Sequence, residues 1–494
     1  MTGRLYLPAE IPPYLEADIP LTTALLKLTL EDVVNFHALP LSRRSSLKTS
    51  SLAGTYEALF GSRIHEIDVT YSGSVLDNPL LPTRILKRSE EITATAFGAD
   101  RSLYVTTGTT CANQIVIGST VSNGTRVLAD RSCHQSMHFA LHRAQAQLDY
   151  VSSAASCGSS GRSYVNIPEL IRRYQEAALT ADPYRVVVLG GASYEGVLYD
   201  LETILDICTE IDDTCLFVID EAWSSAAGFH PFFVRNVAMQ AATAIRKRYP
   251  QRAVRVVATQ SAHKSLSSLR QGSFIHVRGD EALIAAIELG RFAYHTTSPS
   301  YPILASLELA RAHAVLEGHA ALDGALALAD ELRSAISLNP ELAAYRVNDG
   351  AFIAPKDRRF VTLDPLRVSI DLSQSGFEGN AFKEYALRVH RVYVNRVTPT
   401  SVLVNVHIGV TRTALQRLLN ALAGFIHDVA PNSEEAICRD FVIAYPPGVP
   451  LLVPGERMNA RSERAIADAR SSGASLVRIT HQTKTDHHQE RIGA

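Results

Sequence analysis

The sequence predicts an α/β fold: a large domain on a mainly parallel sheet, a smaller α+β C-terminal domain, and an N-terminal arm. Three observations predict it. From about residue 85 to 305, helical stretches alternate with short apolar runs. The runs RVVVLGG, CLFVID and RVVATQ are continuous rather than alternating, as in parallel strands covered on both faces. Beyond residue 338, strand candidates are followed by a single long helix, the pattern of a smaller α+β unit.

Taken in order, residues 1–60 combine Pro-rich entry segments with the helix-like run LTTALLKLTLEDVVNFHAL and read as an arm. ILKRSEEITATAF is helical by its apolar spacing. SLYVTT and RVLAD are strands, and SSAASCGSSGRS (152–163) is a Ser/Gly-rich, mobile loop. Residues 61–305 form the large domain. Residues 306–494 form a helical bridge, rich in Ala, Leu and Glu over 303–338, and then the small domain. Its elements are the strand candidates FVTLDPLRVSIDL and SVLVNVHIGV, then the helix TALQRLLNALAGFI. YPPGVPLLVPGERM is Pro/Gly-rich, and a polar tail follows it. No internal repeat is present.

Composition excludes several classes. With 48 Lys+Arg against 50 Asp+Glu there is no electrostatic case for nucleic acid or an anionic membrane. A chain of 494 residues with 46 % hydrophobic residues buries large cores without disulfides. The 6 cysteines form no C-x-x-C pair and no zinc-ligand spacing, as expected of reduced thiols in a cytoplasmic protein. The opening residues lack the apolar core of a secretory signal, and no run of about 18 apolar residues predicts a membrane span.

Four segments carry candidate chemistry. In ATQSAHKSLSSL a strand ends at Gln260, and Lys264 follows within a polar cluster. A lysine that must act as a nucleophile needs burial or a nearby cation to lower its pKa; alone, the segment also reads as a loop with a surface lysine. CLFVIDEAW ends a strand on Asp220, at the edge where open α/β sheets bind ligands; a solvated strand-end aspartate is the alternative. In YVTTGTTCANQIVIGS a strand turns through small residues into a helix. Thr109 and Thr110 then stand where N–H groups and hydroxyls bind a phosphate, or merely cap the helix. In DRSCHQSMHFAL, His134 follows a strand end, either to stack on a flat ligand or as a structural histidine.

The order and spacing of these segments resemble the bacterial ornithine/lysine/arginine decarboxylases, which are fold-type I enzymes dependent on pyridoxal 5′-phosphate (PLP). The matching stretches are GTTCAN, DRSCHQS, SYEGVLYD, DEAW followed by FHP, TQSAHKSL, QGSFIHV, TTSPSYPILASLE and GVPLLVPGE, from about residue 68 to 457. The resemblance implies that Lys264 holds the cofactor as a Schiff base and that Asp220 pairs with its pyridine nitrogen. His134 stacks on the ring and acts as acid or base. Thr109, Thr110, Ser261 and His263 surround the phosphate. Ala222 packs on the other ring face with Trp223 beside it. Thr297 and Ser298 reach the phosphate of a neighbouring subunit, which implies a homodimer. Glu456 lies near the substrate's distal end, or else simply begins the C-terminal helix. No metal is implied.

The implied reaction is decarboxylation of a basic amino acid: arginine, lysine, ornithine or a hydroxylated relative. A different PLP reaction on a similar substrate (oxidative deamination, cyclisation or elimination) is the rival. A non-catalytic binding protein of the same fold is disfavoured because Lys264 and Asp220 are both present. The chain departs from the family at the substrate entrance. It reads FHALPLSRR at 36–44, and DVTYSGSVLDNPLLP has Asp77 as its one acid after Asp68. Cys111 replaces a usual hydroxyl residue, and the receiver-like N-terminal domain of longer members is not seen.

Overall fold

A computed structural model describes residues 16–480, apart from 32, 72, 74, 158–159, 430–437, 439, 446–447, 457–459 and 472–474. The chain forms two compact units. One comprises 1–334, 347–370 and 403–415, and the other 335–346, 371–402 and 416–494.

The first unit is built on a seven-stranded sheet. Its strands are β1 (Arg101–Val105), β2 (Arg126–Asp130), β3 (Gln147–Val151), β4 (Val186–Gly190), β5 (Leu216–Asp220), β6 (Arg255–Gln260) and β7 (Ser273–Arg278). They lie in the order β1-β7-β6-β5-β4-β2-β3. β7 pairs antiparallel with both neighbours, and the other pairs are parallel. The C-terminal ends of β1, β2, β4, β5 and β6 therefore meet at one edge.

The sequence dictates this by placing apolar residues at consecutive positions. Successive side chains on a strand point to opposite faces, so a continuous apolar run needs a core on each side. Val187, Leu189, Phe217 and Ile219 pack on one face. Helices Ile167–Ala178, Leu201–Ile211 and Ala238–Arg248 cover that face. Val186, Val188, Leu216 and Val218 pack on the other. That face is covered by α1 (Gly108–Thr120), α2 (Gln135–Arg143) and the helix Glu281–Tyr294. Phe217 is 1 % and Val218 0 % exposed, so neither face is open to water.

The long helix α3 (Tyr301–Leu338) runs through the predicted bridge. The arm contributes the helix Pro20–Thr29, whose Leu21, Leu25 and Leu28 join a core with Leu304 and Leu307 of α3. The buried carboxylate of Glu308 accepts the N–H groups of Leu21 and Thr22 at 3.0 and 2.6 Å. These are donors that a helix start leaves without intrahelical partners. The predicted helical run continued well past this point, but the helix stops at Thr29, beyond which Leu30 and Val34 are exposed and add nothing to a buried stripe.

Two further readings are corrected. Within 152–163, Ser153–Cys157 is a strand paired antiparallel with Arg162–Val165 rather than part of a loop, and residues 158 and 159 lie outside those described. Arg162 is 1 % exposed, and its guanidinium donates to the carbonyls of Glu195, Asn348 and Arg367 at 2.9, 3.1 and 2.8 Å. Composition marked the segment as a loop, and a buried cation holds it instead. FVTLDPLRVSIDL is not one strand but two, Val361–Leu363 and Arg367–Asp371, in separate sheets. Pro365 lies between them, where its missing N–H ends a ladder.

In the second unit, strand Asp440–Tyr445 pairs antiparallel with both Val449–Leu452 and Ser475–Thr480. Helices Gly379–His390 and Ala460–Ser471 belong to the same unit, and Phe382 packs edge-on to Phe425 at 5.3 Å between ring centroids. Among the described residues no helix is long and apolar enough to cross a membrane.

Candidate active site

The strand ends of the first unit surround a cavity of about 450 Å³. Thr109, Thr110, His134, Asp220, Ala222, Trp223, Ser261, His263 and Lys264 all line it. Thus nine residues from four separate segments, singled out from sequence, converge on one wall-to-wall space.

Asp220 ends β5 and is 6 % exposed. A buried carboxylate requires donors. It receives the Asn113 side-chain amide on Oδ2 at 2.9 Å and the Ala222 N–H on Oδ1 at 3.0 Å. Asn113 is in turn fixed by the Thr259 hydroxyl on its Oδ1 at 2.6 Å, and it donates to the Ser136 hydroxyl at 2.9 Å. Ser136 Oγ lies 2.8 Å from His134 Nδ1, which also accepts the Ser136 N–H and so caps α2. His134 and Asp220 are thereby joined through Ser136 and Asn113. Sequence reading assigned Asn113 no role. The available signal was its position one helical turn after Thr109, on the same face of α1.

Lys264 lies in the single helical turn Ala262–Ser265 that follows β6. Its Nζ stands 3.9 Å from the Trp223 ring centroid. Burial holds the amine below the usual lysine range; the Asp220 charge opposes this and the Arg367 charge adds to it. Arg367 packs on the same indole at 4.7 Å, and Tyr194 meets it edge-on at 4.7 Å. Arg367 was missed from sequence because it comes from a segment more than 100 residues along the chain from Lys264. Gly196 makes its approach possible. At φ +89, a Cβ there would lie 2.4 Å from Arg367 Cβ.

The phosphate-type donors gather at the start of α1. Gly108 takes φ +83, a conformation suited to glycine, where the chain turns from β1 into the helix. The Thr109 hydroxyl lies 2.6 Å from Ser261 Oγ and 2.9 Å from Ser273 Oγ. His263 Nδ1 donates to the Gly272 carbonyl at 3.0 Å, and burial lowers its pKa.

These features fit PLP. A half-buried lysine with a depressed pKa, a buried carboxylate, and a hydroxyl-rich helix start are the three groups that such a ring, its aldehyde and its phosphate require. Lys264, Asp220 and the Thr109–Ser261 hydroxyls would hold it.

Three predicted residues lie elsewhere. Thr297 and Ser298 are exposed and do not line this chain's cavity. Glu456 is exposed in the second unit, and its carboxylate accepts the Val453 N–H at 3.1 Å. Asp77, the acid retained in the altered entrance loop, is buried and accepts the N–H groups of Thr83, Arg84 and Leu86. It serves a helix start and does not line the cavity. The cavity's own acids are Asp130, Glu195 and Asp220.

Behind Asp220, Glu221 is fully buried. It accepts the Ala238 N–H at 2.5 Å and the Gln260 amide at 2.8 Å, tying the end of β5 to the end of β6. Burial pushes its carboxyl up to about 7, and the Asp220 charge adds to this. A carboxyl raised in the folded state binds its proton more tightly there than in the unfolded chain. Its contribution to stability is therefore greatest below about pH 4.5, declines as pH rises towards 7, and is level above. Relative to Glu221→Gln, the parent should lose on the order of 1–3 kcal/mol of unfolding free energy between pH 5 and pH 8. Urea titrations of both proteins across that range measure it; parallel stability–pH curves would contradict the assignment.

Comparison with known proteins agrees with this geometry. Residues 19–414 match the family described as Orn/Lys/Arg decarboxylase, major domain, and residues 415–468 match its C-terminal domain. The lysine decarboxylase LdcA of Pseudomonas aeruginosa is 29 % identical over 358 residues, covering 70 % of this chain and 45 % of that protein. The inducible lysine decarboxylase of Escherichia coli is 26 % identical over 448 residues, covering 82 % of this chain and 60 % of that protein. The chain thus spans about half the length of these curated relatives. The crystal structure of the Francisella novicida lysine decarboxylase LdcF superposes with a TM-score of 0.74 at 22 % identity, covering 94 % of this chain and 82 % of that one. That likeness shows the fold, which is fold-type I of the PLP enzymes. With a matched stretch that contains the whole cavity wall, the chain belongs to the Orn/Lys/Arg decarboxylase family.

Proposed function

We propose that this chain is a PLP-dependent decarboxylase of a basic amino acid. The observation that carries the reading is the convergence of Lys264, Asp220 and the Thr109–Ser261 hydroxyls on one cavity in a chain of this family. When bound, PLP supplies a sink for the electrons left at the substrate's Cα as carbon dioxide departs. The protein's part is to bind, orient and move protons. Burial leaves the Lys264 amine more often uncharged, as a nucleophile needs. Asp220, locked by Asn113 and the Ala222 N–H, would keep a proton on the pyridine nitrogen. His134, aligned through Ser136, would cover one ring face and serve as the acid or base at Cα, with Ala222 on the other face and Trp223 beside it. Thr110 and His263 complete the phosphate surroundings.

A homodimer belongs to the same reading. Thr297 and Ser298 are exposed in the segment after helix Glu281–Tyr294, available to a neighbour's phosphate site. The cysteine usage supports a cytoplasmic setting. The substrate's distal cation needs a carboxylate. Glu195 offers one from the cavity wall, and Glu456 is the sequence-based alternative.

Three experiments test this. Purified protein incubated with lysine, arginine, ornithine and hydroxylated relatives should release carbon dioxide without consuming oxygen, with products followed by mass spectrometry. The parent should absorb in the visible and Lys264→Ala should not; oxygen uptake with a retained carboxylate would replace decarboxylation by the rival chemistry. Second, Glu195→Gln should raise KM for the cationic substrate about 10- to 100-fold, the loss of one charge-assisted hydrogen bond, while leaving the visible band intact. Glu456→Gln should change KM far less, and the reverse ranking would return the role to Glu456. Third, subunit exchange between Lys264→Ala and a Thr297→Ala/Ser298→Ala double variant should restore part of the activity. One site of the hybrid carries both defects and the other neither; no recovery after proven exchange would mean that each site is built within one chain.

A further inference from the structure

Away from the cavity, His230, His319 and Asp323 bring three ligating groups together. Their ligand atoms all lie within 4.8 Å of one another. Asp323 Oδ1 is 3.0 Å from His230 Nε2, and its Oδ2 is 3.0 Å from His319 Nδ1. The two imidazoles face each other at 4.8 Å between centroids, tilted by 34°. His319 and Asp323 are one turn apart on α3, so both project from the same face of a rigid helix. His230 is 7 % exposed and stands between the short 3-10 turns Ala227–Phe229 and Pro231–Asn236. It is therefore held in place, while its two partners are open to solvent.

We propose that His230, His319 and Asp323 form a binding site for a divalent transition-metal ion of the zinc class. Two imidazoles and a carboxylate are the borderline donors that zinc takes, with a water at the fourth position. Zinc lies about 2.0–2.1 Å from such ligands, which sets them roughly 3.3 Å apart around a tetrahedral ion. Each imidazole already stands 3.0 Å from one oxygen of the carboxylate, His230 from Oδ1 and His319 from Oδ2. The remaining closure, which brings one carboxylate oxygen to both imidazoles, falls to His319 and Asp323, which are exposed and can turn. Hydrogen bonds are exchanged for ligand bonds on binding. His230 Nδ1 now accepts the Phe232 N–H at 3.2 Å, and a metal on Nε2 moves the ring's proton to Nδ1. That long hydrogen bond and the two carboxylate–imidazole contacts are given up for three ligand bonds. The ion would pin the segment after Trp223, which leads from the cavity into helix Ala238–Arg248, onto α3. It is a structural tether rather than a participant in the chemistry.

The test uses the untagged full-length protein, stripped with a chelator and titrated with zinc chloride by calorimetry and in competition with a chromophoric chelator. The expected result is one ion per chain with micromolar or tighter affinity. Binding should be weakened at least tenfold in both His319→Ala and Asp323→Asn. Zinc should raise the thermal midpoint of the parent and not of the variants. His319 is exposed, so its removal leaves the fold intact and serves as the clean comparison. Unchanged affinity in both variants, or saturation only at millimolar zinc, would overturn the proposal and leave the three residues a hydrogen-bonded triad.

Discussion

The site depends on one constraint: a carboxylate, Asp220, held almost entirely out of water. An ionised group in that position needs donors, and the two it has come from different parts of the chain, the Ala222 N–H next to it and the Asn113 amide from α1. Asn113 in turn is locked by Thr259 on β6 and reaches Ser136 on α2. Satisfying one charge therefore fixes the relative positions of β5, β6, α1 and α2. Those are the elements that carry Lys264, Thr109 and His134. The same bonds that make burial of Asp220 tolerable align the residues around it.

A second layer of buried polar groups fixes what the sheet alone does not. Glu221 bridges the Ala238 N–H and the Gln260 amide, so the strand ends bearing Asp220 and Lys264 cannot shift independently. Arg162 binds three carbonyls, including those of Glu195 and Arg367. It thereby holds the loop of Tyr194 and Glu195 against the segment that places Arg367 on Trp223. Trp223 meets Lys264, Arg367 and Tyr194 at once. Burial, together with the nearby Arg367 charge, disfavours the charge of the lysine, and Asp220 partly offsets this. The opposing influences of Asp220 and Arg367 are built into the geometry before any ligand is bound.

The loop that the sequence resemblance places at a substrate entrance does not line the cavity. Its retained acid, Asp77, is consumed by a helix start. Carboxylates that face the cavity come instead from strand ends and from the loop after β4. The carboxylates of the cavity thus come from a different part of the fold than the loop where composition directs attention.

Much was legible in the sequence, and for identifiable reasons. Continuous apolar runs can be satisfied only by two covered faces, so CLFVID and RVVATQ announced a buried parallel sheet. Strand ends in such a sheet share an edge, so Asp220, Lys264, Thr109 and His134 were readable as neighbours. β3 was not legible as a strand, since as an edge strand its QLDYV is only partly buried and has no apolar run. The strand pair 153–157 and 162–165 was hidden because a polar, small-residue composition is the same whether a chain is loose or held by a buried arginine. Glu221, Arg162 and Arg367 carry no local signature of their roles, and Asn113 carries only its place one turn after Thr109. Each acts through a partner far along the chain, such as Asp220, Gln260 or Trp223, and hydrogen bonds or ring contacts between distant residues exist only once folding has set the distances. Local pattern decided the elements and the edge where the chemistry gathers; only tertiary structure decided which buried polar groups satisfy one another there, because that pairing is a matter of ångströms and not of spacing along the chain.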